Sequence, residues 1–321
     1  MKLARVHILV CGIIFLASAA LAANWTEKPI VSAGFGAGPD QFGYAGIEAS
    51  KKTTRLVNCF AADRSHIAVH DRIKKDVKLY NAAGVFQRTI PLVLKGASAD
   101  TVRARDIALG PELLYVLVDD QPGNAKEIPP SMRLAVFDIK TGQCTSVRNI
   151  DTSSIVPPGK QPARGADALC LQPNGATVWL FDTIRQMSFE VTGTGIGKKP
   201  RYGWGGSRMV RTDDNVGAIL LLDGEGKIAR RLPESGVVTA VTETGDGFAV
   251  MQSAGGADWA MVVYNGAGDK VGIAPRPNRA WKPFKAPVME RKYELADTPG
   301  GPELYEMYAS SNGVKIVRWS K

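Results

Sequence analysis

Val77-Lys78-Leu79-Tyr80-Asn81-Ala82-Ala83-Gly84 is followed at once by Val85-Phe86-Gln87-Arg88-Thr89-Ile90-Pro91. Two short apolar-rich stretches meet at Asn-Ala-Ala-Gly, which is how two strands joined by a tight turn read. An Asn side chain can accept hydrogen bonds from backbone groups just ahead of it, and Gly takes the positive φ that closes the turn. The same device returns as Phe137-Asp138 leading to Gly142, as Leu222-Asp223-Gly224-Glu225-Gly226, and as Tyr264-Asn265-Gly266-Ala267-Gly268. Asn81 and Asn265 lie 184 residues apart, or about 46 per interval over four intervals, and propeller repeats run about 40–50 residues.

A second register supports the first. Cys59 to Asp71, Ile107 to Asp119 and Cys170 to Asp182 each span 12 residues and carry an apolar strand such as Leu114-Tyr115-Val116-Leu117. Gly110-Pro111-Glu112-Leu113 is echoed by Gly301-Pro302-Glu303-Leu304. Helical spacing of apolar residues is almost absent beyond residue 22, so the expected class is all-β. Units are expected to begin near residues 52, 100, 162, 205, 236 and 286, the fourth being compressed around Gly203-Trp204-Gly205-Gly206. The expectation is a six-bladed β-propeller with four antiparallel strands per blade. Val314 to Trp319 reads as a third strand without its fourth, and Trp25 to Phe35 can supply that outer strand and close the ring. A pair of β-sandwiches or a large barrel does not predict a recurring unit of this length.

The first residues read as a secretory signal. Lys2 and Arg5 precede the apolar run Ile8 to Leu16, and Ala20-Leu21-Ala22 offers the small-x-small cleavage pattern, with the cut expected after Ala22. Residues 1–22 are therefore expected to be removed, leaving one domain over 23–321 that is periplasmic or secreted. No later stretch reaches the roughly 20 apolar residues of a membrane span. The formal charge of +9 is spread along the chain without a basic block. Such a balance suits weak attraction to anionic surfaces or ligands and gives no reason to expect nucleic acid. A monomer is expected.

The first unit resembles the NHL-type propeller repeat. Gly36-Ala37-Gly38-Pro39-Asp40-Gln41-Phe42-Gly43 is similar to that family's Gly-Pro-x-Gln-Phe lead-in, His70-Asp71-Arg72 to its Asp-Arg turn, and Val77 to Gly84 to the following hairpin. The resemblance covers residues 34–92, and later units keep only the hairpin. It implies a six-bladed propeller but no single activity, since such propellers serve as protein-binding, RNA-binding, lyase and hydrolase scaffolds. Amidating lyases of this fold hold zinc with several histidines, whereas beyond residue 22 this chain has only His66 and His70.

Those two histidines lie roughly 13 Å apart if they share a strand, too far for one metal ion. No Gly-x-Ser-x-Gly nucleophile elbow occurs. A carboxylate-based, Ca²⁺-dependent hydrolase or lyase would draw on Asp106, Asp167, Asn174 and Glu243 near inner strands; this is the alternative reading, and otherwise no cofactor is expected. Arg55, Arg103, Arg105, Arg164, Arg208 and Arg211 fall at or before the strands that open units one to four. Converging there, they would form a positive funnel for a carboxylate or phosphate; alternatively Arg105 pairs with Asp106, Arg164 with Asp167, and Arg211 with Asp213 or Asp214. The candidate ligand-binding set is Arg55, Arg105, Arg164, Arg208, Arg211, Asp106 and Asp167. The leading expectation is a non-catalytic binding or scaffold protein that takes a protein partner or a small anionic ligand at one face of the channel. Cys59 and Cys170 read as small core fillers in equivalent positions, and a disulfide between Cys144 and Cys170 stays open. Trp204 and Trp281 sit in Gly- or Pro-rich loops, where an aromatic either meets a ligand or covers the loop.

Overall fold

The computed structural model describes residues 24–43, 57–94, 103–119, 131–152, 169–174, 177–182, 186–192, 195–197, 201–204, 209–212, 218–223, 225–242, 244–255, 258–276, 293–310 and 313–321. The signal-like residues 1–22 and the candidates Arg55, Arg164, Asp167 and Arg208 lie outside them. Among the described residues every element is a strand.

β1 (Thr26–Ala33) precedes β2 (Val57–Ala62), β3 (His66–Asp71), β4 (Asp76–Asn81) and β5 (Phe86–Pro91), and β2 to β5 pair in order as the first sheet. β6 (Arg103–Gly110), β7 (Leu113–Asp119), β8 (Ser131–Asp138) and β9 (Cys144–Asp151) form the second. The third runs β10 (Leu169–Asn174), β11 (Thr177–Asp182) and β12 (Met187–Thr192), edged by β13 (Gly195–Ile196) and β14 (Arg201–Tyr202). β15 (Met209–Thr212), β16 (Ala218–Leu222) and β17 (Ile228–Ser235) form a three-stranded fourth sheet. β18 (Val237–Val241), β19 (Gly247–Gly255), β20 (Asp258–Asn265) and β21 (Lys270–Arg276) form the fifth. β22 (Tyr293–Thr298), β23 (Gly301–Ser310) and β24 (Gly313–Ser320) complete the set, with β1 antiparallel to β24 on the far edge.

These small antiparallel sheets adopt a propeller arrangement. β2 packs on β6, β6 on β10, β15 on β18, β18 on β22, and β22 returns to β2. The core is divided among the spaces between neighbouring sheets. Cys59, Leu79, Ile107 and Leu114 meet between the first and second, and Leu117, Met132, Leu171 and Leu180 between the second and third. Phe60, Tyr80, Tyr305 and Ile316 fill the space between the last and the first. A sheet sandwiched in this way is buried on both faces, so its middle strands are nearly continuous apolar runs; β3 and β4 are buried along almost their whole length, while β17 exposes all but Leu232 and Glu234.

The hairpin turns obey the chemistry read from their sequence. Asn81 Oδ1 accepts the N–H groups of Ala83 and Val85, each at 3.0 Å. Asp223 Oδ1 does the same for Glu225 and Lys227, and Asn265 Oδ1 for Ala267 and Asp269. Gly84, Gly226 and Gly268 take φ of +81°, +82° and +83°. The Gly-Pro-Glu-Leu echo does not hold in register. Pro111-Glu112 form the turn between β6 and β7, whereas Gly301 to Leu304 are already paired within β23.

Between residues 24 and 43 the chain touches three sheets. Trp25 N–H donates to Ile273 O of β21 at 2.7 Å, and β1 then pairs from Thr26↔Ser320 to Ala33↔Val314. The lead-in Gly36–Gly43 docks on the first sheet through Lys78, which is fully buried. Its Nζ lies 3.1 Å from Pro39 O, 3.3 Å from Asp76 Oδ1, 3.9 Å from Asp71 Oδ2 and 5.5 Å from the Phe42 ring centre. Asp71 accepts from Gly43 N–H at 2.7 Å, and Lys74 Nζ donates to Gly38 O and Gln41 O at 2.7 and 2.8 Å. Burial pushes the Asp76 carboxyl above its ordinary value, against the pull of Lys78.

His70 is also buried, at 2% exposure. Desolvation first, and the Arg72 charge second, lower its ring from 6.5 to about 3. Between those values the unfolded chain carries a proton that the folded chain refuses, so stability falls as pH drops through that window. Denaturant titrations at pH 6.5 and 5 should differ by about 2 kcal/mol from this ring alone, and His70→Asn should flatten that dependence. An unchanged pH slope in the variant would rule out His70 as its source.

Candidate functional site

The five hairpins that open sheets one, two, three, five and six can be aligned on their closing pairs. These are Asp63–His66, Gly110–Leu113, Asn174–Thr177, Thr242–Gly247 and Thr298–Gly301. Two residues before each closing position stand Ala61, Ala108, Gln172, Ala240 and Ala296. Four of the five are alanine. Four residues before it stand Cys59, Asp106, Cys170, Val238 and Glu294. Asp106, not Ile107, is therefore the equivalent of Cys59 and Cys170. The matched 12-residue spans hide a one-residue offset, because Val118 rather than Asp119 occupies the place of Asp71 and Asp182.

The alanine level opens onto a small axial cavity of ≈ 30 Å³, room for about one water molecule. Its described wall includes Ala61, Ala108, Leu171, Ala240 and Leu295, with Gln172, Thr239, Tyr293 and Glu294 as polar members. Thr239 Oγ1 already donates to Ala249 O at 3.3 Å. Trp204 completes the wall.

Trp204 enters where the fourth sheet differs from the rest. The Asp223–Gly226 turn joins β16 to β17, as the Asn81–Gly84 turn joins β4 to β5. β15, β16 and β17 thus correspond to β3, β4 and β5, and among the described residues the innermost position holds a single bridge, Trp204↔Val210. Its N–H donates to Val210 O at 2.9 Å. The indole is 8% exposed, packs on Phe181 with ring centres 4.0 Å apart, and lines the cavity. The Gly-rich surroundings of Trp204 had suggested a loop aromatic; it is instead a buried element of the axial wall.

Of the predicted arginine set, Arg105 and Arg211 lie on described strands, and Arg55, Arg164 and Arg208 lie outside the described residues. Arg105 is 7% exposed on β6, three to four residues before the cavity-lining Ala108 and Leu109, and Asp106 is 2% exposed beside it. Asp106 Oδ2 accepts the Leu171 N–H at 2.6 Å and so ties the inner strand of the second sheet to that of the third. Arg211 lies on β15, and Asn174 ends β10. Neither Arg105 nor Asp106 is among the described residues lining the cavity. His66 and His70 lie at the two ends of one strand, His66 half-buried and 3.8 Å from Asp63. Cys59, Cys144 and Cys170 are free thiols, and burial raises that of Cys144. The Lys78 cluster and the axial place of Gln172 went unread in the sequence. The one available signal for Gln172 was its place two residues before a turn, where the other units carry alanine.

No family model and no curated protein sequence matches the chain. Solved structures of similar shape include a protein of unknown function from Bacteroides thetaiotaomicron, 11% identical, with a TM-score of 0.47 over 92% of this chain and 76% of that one. A DUF4623 family protein from Bacteroides eggerthii is 14% identical, with a TM-score of 0.46 over 92% and 82%. A streptogramin B lyase is 8% identical, with a TM-score of 0.40 over 92% and 98%. At these values none of them carries an argument about activity.

Proposed function

We propose that this chain is an exported, non-catalytic propeller that binds a protein partner or a small anionic ligand at one face of its central channel. In this reading the six sheets are blades of one ring closed by β1, and the protein works as a monomer in the periplasm or outside the cell. The observation that carries it is the convergence of β2, β6, β10, β18 and β22 around one axis, whose face is where the proposed partner or ligand docks. Arg105 on β6 and Arg211 on β15 are the members of the proposed basic mouth that lie on described strands. Export rests on Lys2, Arg5, the apolar run Ile8–Leu16 and Ala20-Leu21-Ala22.

Thermal unfolding of the mature protein with phosphate, citrate and Ca²⁺ tests the anion version. Stabilisation by citrate or phosphate that weakens at high salt and is lost in Arg211→Ala supports it. Stabilisation by Ca²⁺ alone would overturn it in favour of the carboxylate-based hydrolase or lyase. Silence from all three leaves the protein-partner version, which cross-linking of the exported protein in its own compartment then tests.

A further inference from the structure

We propose that the end of the ring where the innermost strands begin is a docking surface for an anionic lipid bilayer. This deepens the binding reading above and rests on it only in giving one end of the ring a partner. The residues that carry it are not those of the basic mouth.

The surface is built first at the turn from β3 to β4. Asp71 Oδ1 accepts the N–H groups of Ile73 and Lys74, each at 3.0 Å, and Lys75 takes a φ of +56°. Lys75 O accepts the Leu92 N–H at 3.1 Å, which ties the residues after β5 to the same turn. Val93 N–H donates back to Pro91 O at 2.9 Å, so the chain bends sharply there. Leu92 and Leu94 are buried, whereas Val93 is 63% exposed, and Ile73 is exposed on the same tip. The carboxylates of Asp71 and Asp76 are buried beside Lys78. The charges that reach the surface are therefore Arg72, Lys74 and Lys75, against Asp40 of the lead-in. Lys74 binds two backbone carbonyls, which leave its charge uncancelled.

At the same end of the fifth sheet Val237, 53% exposed, stands opposite Met251, which is also exposed. Apolar side chains held out of the core by rigid turns and flanked by cations suit the headgroup boundary of a bilayer. The apolar groups enter the acyl edge, and the cations meet the lipid phosphates. The formal charge of +9 adds long-range attraction to such a surface. Val85 and Ile228 are exposed after turns at the other end, where Asp223, Glu225, Asp246 and Asp269 outnumber Lys227. One end of the ring therefore faces the lipid.

The protein purified after export is sedimented with vesicles of phosphatidylglycerol and phosphatidylcholine in equal parts, and with vesicles of phosphatidylcholine alone. Partitioning onto the anionic vesicles should exceed that onto the neutral ones by about tenfold and should weaken as salt rises. Lys75→Glu should weaken it about tenfold, and Val93→Ser about threefold. Glu225→Lys raises the net charge at the opposite end and should leave partitioning within about twofold. Far-ultraviolet circular dichroism confirms that the variants are folded. No partitioning onto either vesicle, equal partitioning onto both, or full partitioning in Lys75→Glu would overturn the proposal. So would a gain in Glu225→Lys as large as the loss in Lys75→Glu, which would show that total charge alone is at work. Because citrate and phosphate stabilisation is read without lipid, the basic mouth and this surface can fail independently.

Discussion

Replacing Lys78 with alanine should lower the unfolding free energy by about 3–5 kcal/mol, the range seen when one partner of a buried ion pair is removed. The Lys78 ammonium is fully buried between Asp71 and Asp76 and also contacts Pro39 O and the Phe42 ring. Without it the two carboxylates face each other in a dry site, and Asp76, already raised by burial, is driven further toward its protonated form. Lys78→Met keeps most of the packing volume, so the gap between Met and Ala reports packing and the residual loss in Met reports charge. The variants should also loosen the lead-in, making the backbone around Gly38 and Gln41 exchange hydrogen faster. Urea denaturation and hydrogen exchange check both parts. A loss below about 1 kcal/mol, the range of exposed pairs, would show that the cluster does not hold the lead-in.

That cluster also marks the limit of what the sequence discloses. The turns at Asn81, Asp223 and Asn265 were legible because every group they need lies within five residues. β1 was legible as an outer strand only by counting, since the last group of strands was one short. Lys78, by contrast, reads as the polar position of an alternating strand; nothing local says that residues 39 positions away fold back over it. Asp106 is similar. Its partner is the Leu171 amide, 65 residues on, so local spacing suggested pairing with Arg105 instead. Trp204 shows the opposite failure. Its flanking glycines report backbone freedom, and that freedom is what lets the chain leave β14 and enter the axial slot. The direction of the indole, however, is set by its packing on Phe181, 23 residues earlier in the chain. Hairpin chemistry is local and survives in each copy, while the site lies where one copy departs from the pattern, and a departure is visible only against a register the coordinates supply.

Deleting residues 24–33 should cost more than any single substitution. β1 covers the whole outer edge of β24, and Trp25 and Val31 are 4% and 2% exposed in two different inter-sheet cores. Trp25→Ala alone should cost about 3–5 kcal/mol, and loss of the remaining strand brings the total close to the 5–15 kcal/mol that holds a typical domain together. The approach of β1 is close enough that glycine is required beneath it. A Cβ at Gly272 would overlap the Trp25 indole, and one at Gly84 would overlap Ile30 O. Gly272→Val should therefore reproduce much of the Trp25→Ala loss without touching β1 itself. An uncovered β24 presents unpaired backbone groups to other copies, so the deleted protein should elute as oligomers and unfold at lower urea with a shallower transition. A synthetic peptide spanning residues 23–35, added in excess, should restore the elution and the midpoint of the intact protein by refilling that edge. If the shortened chain stays monomeric and unfolds within about 1 kcal/mol of the intact protein, β1 is an appendage, and the sheets hold their ring without a strand from the other end.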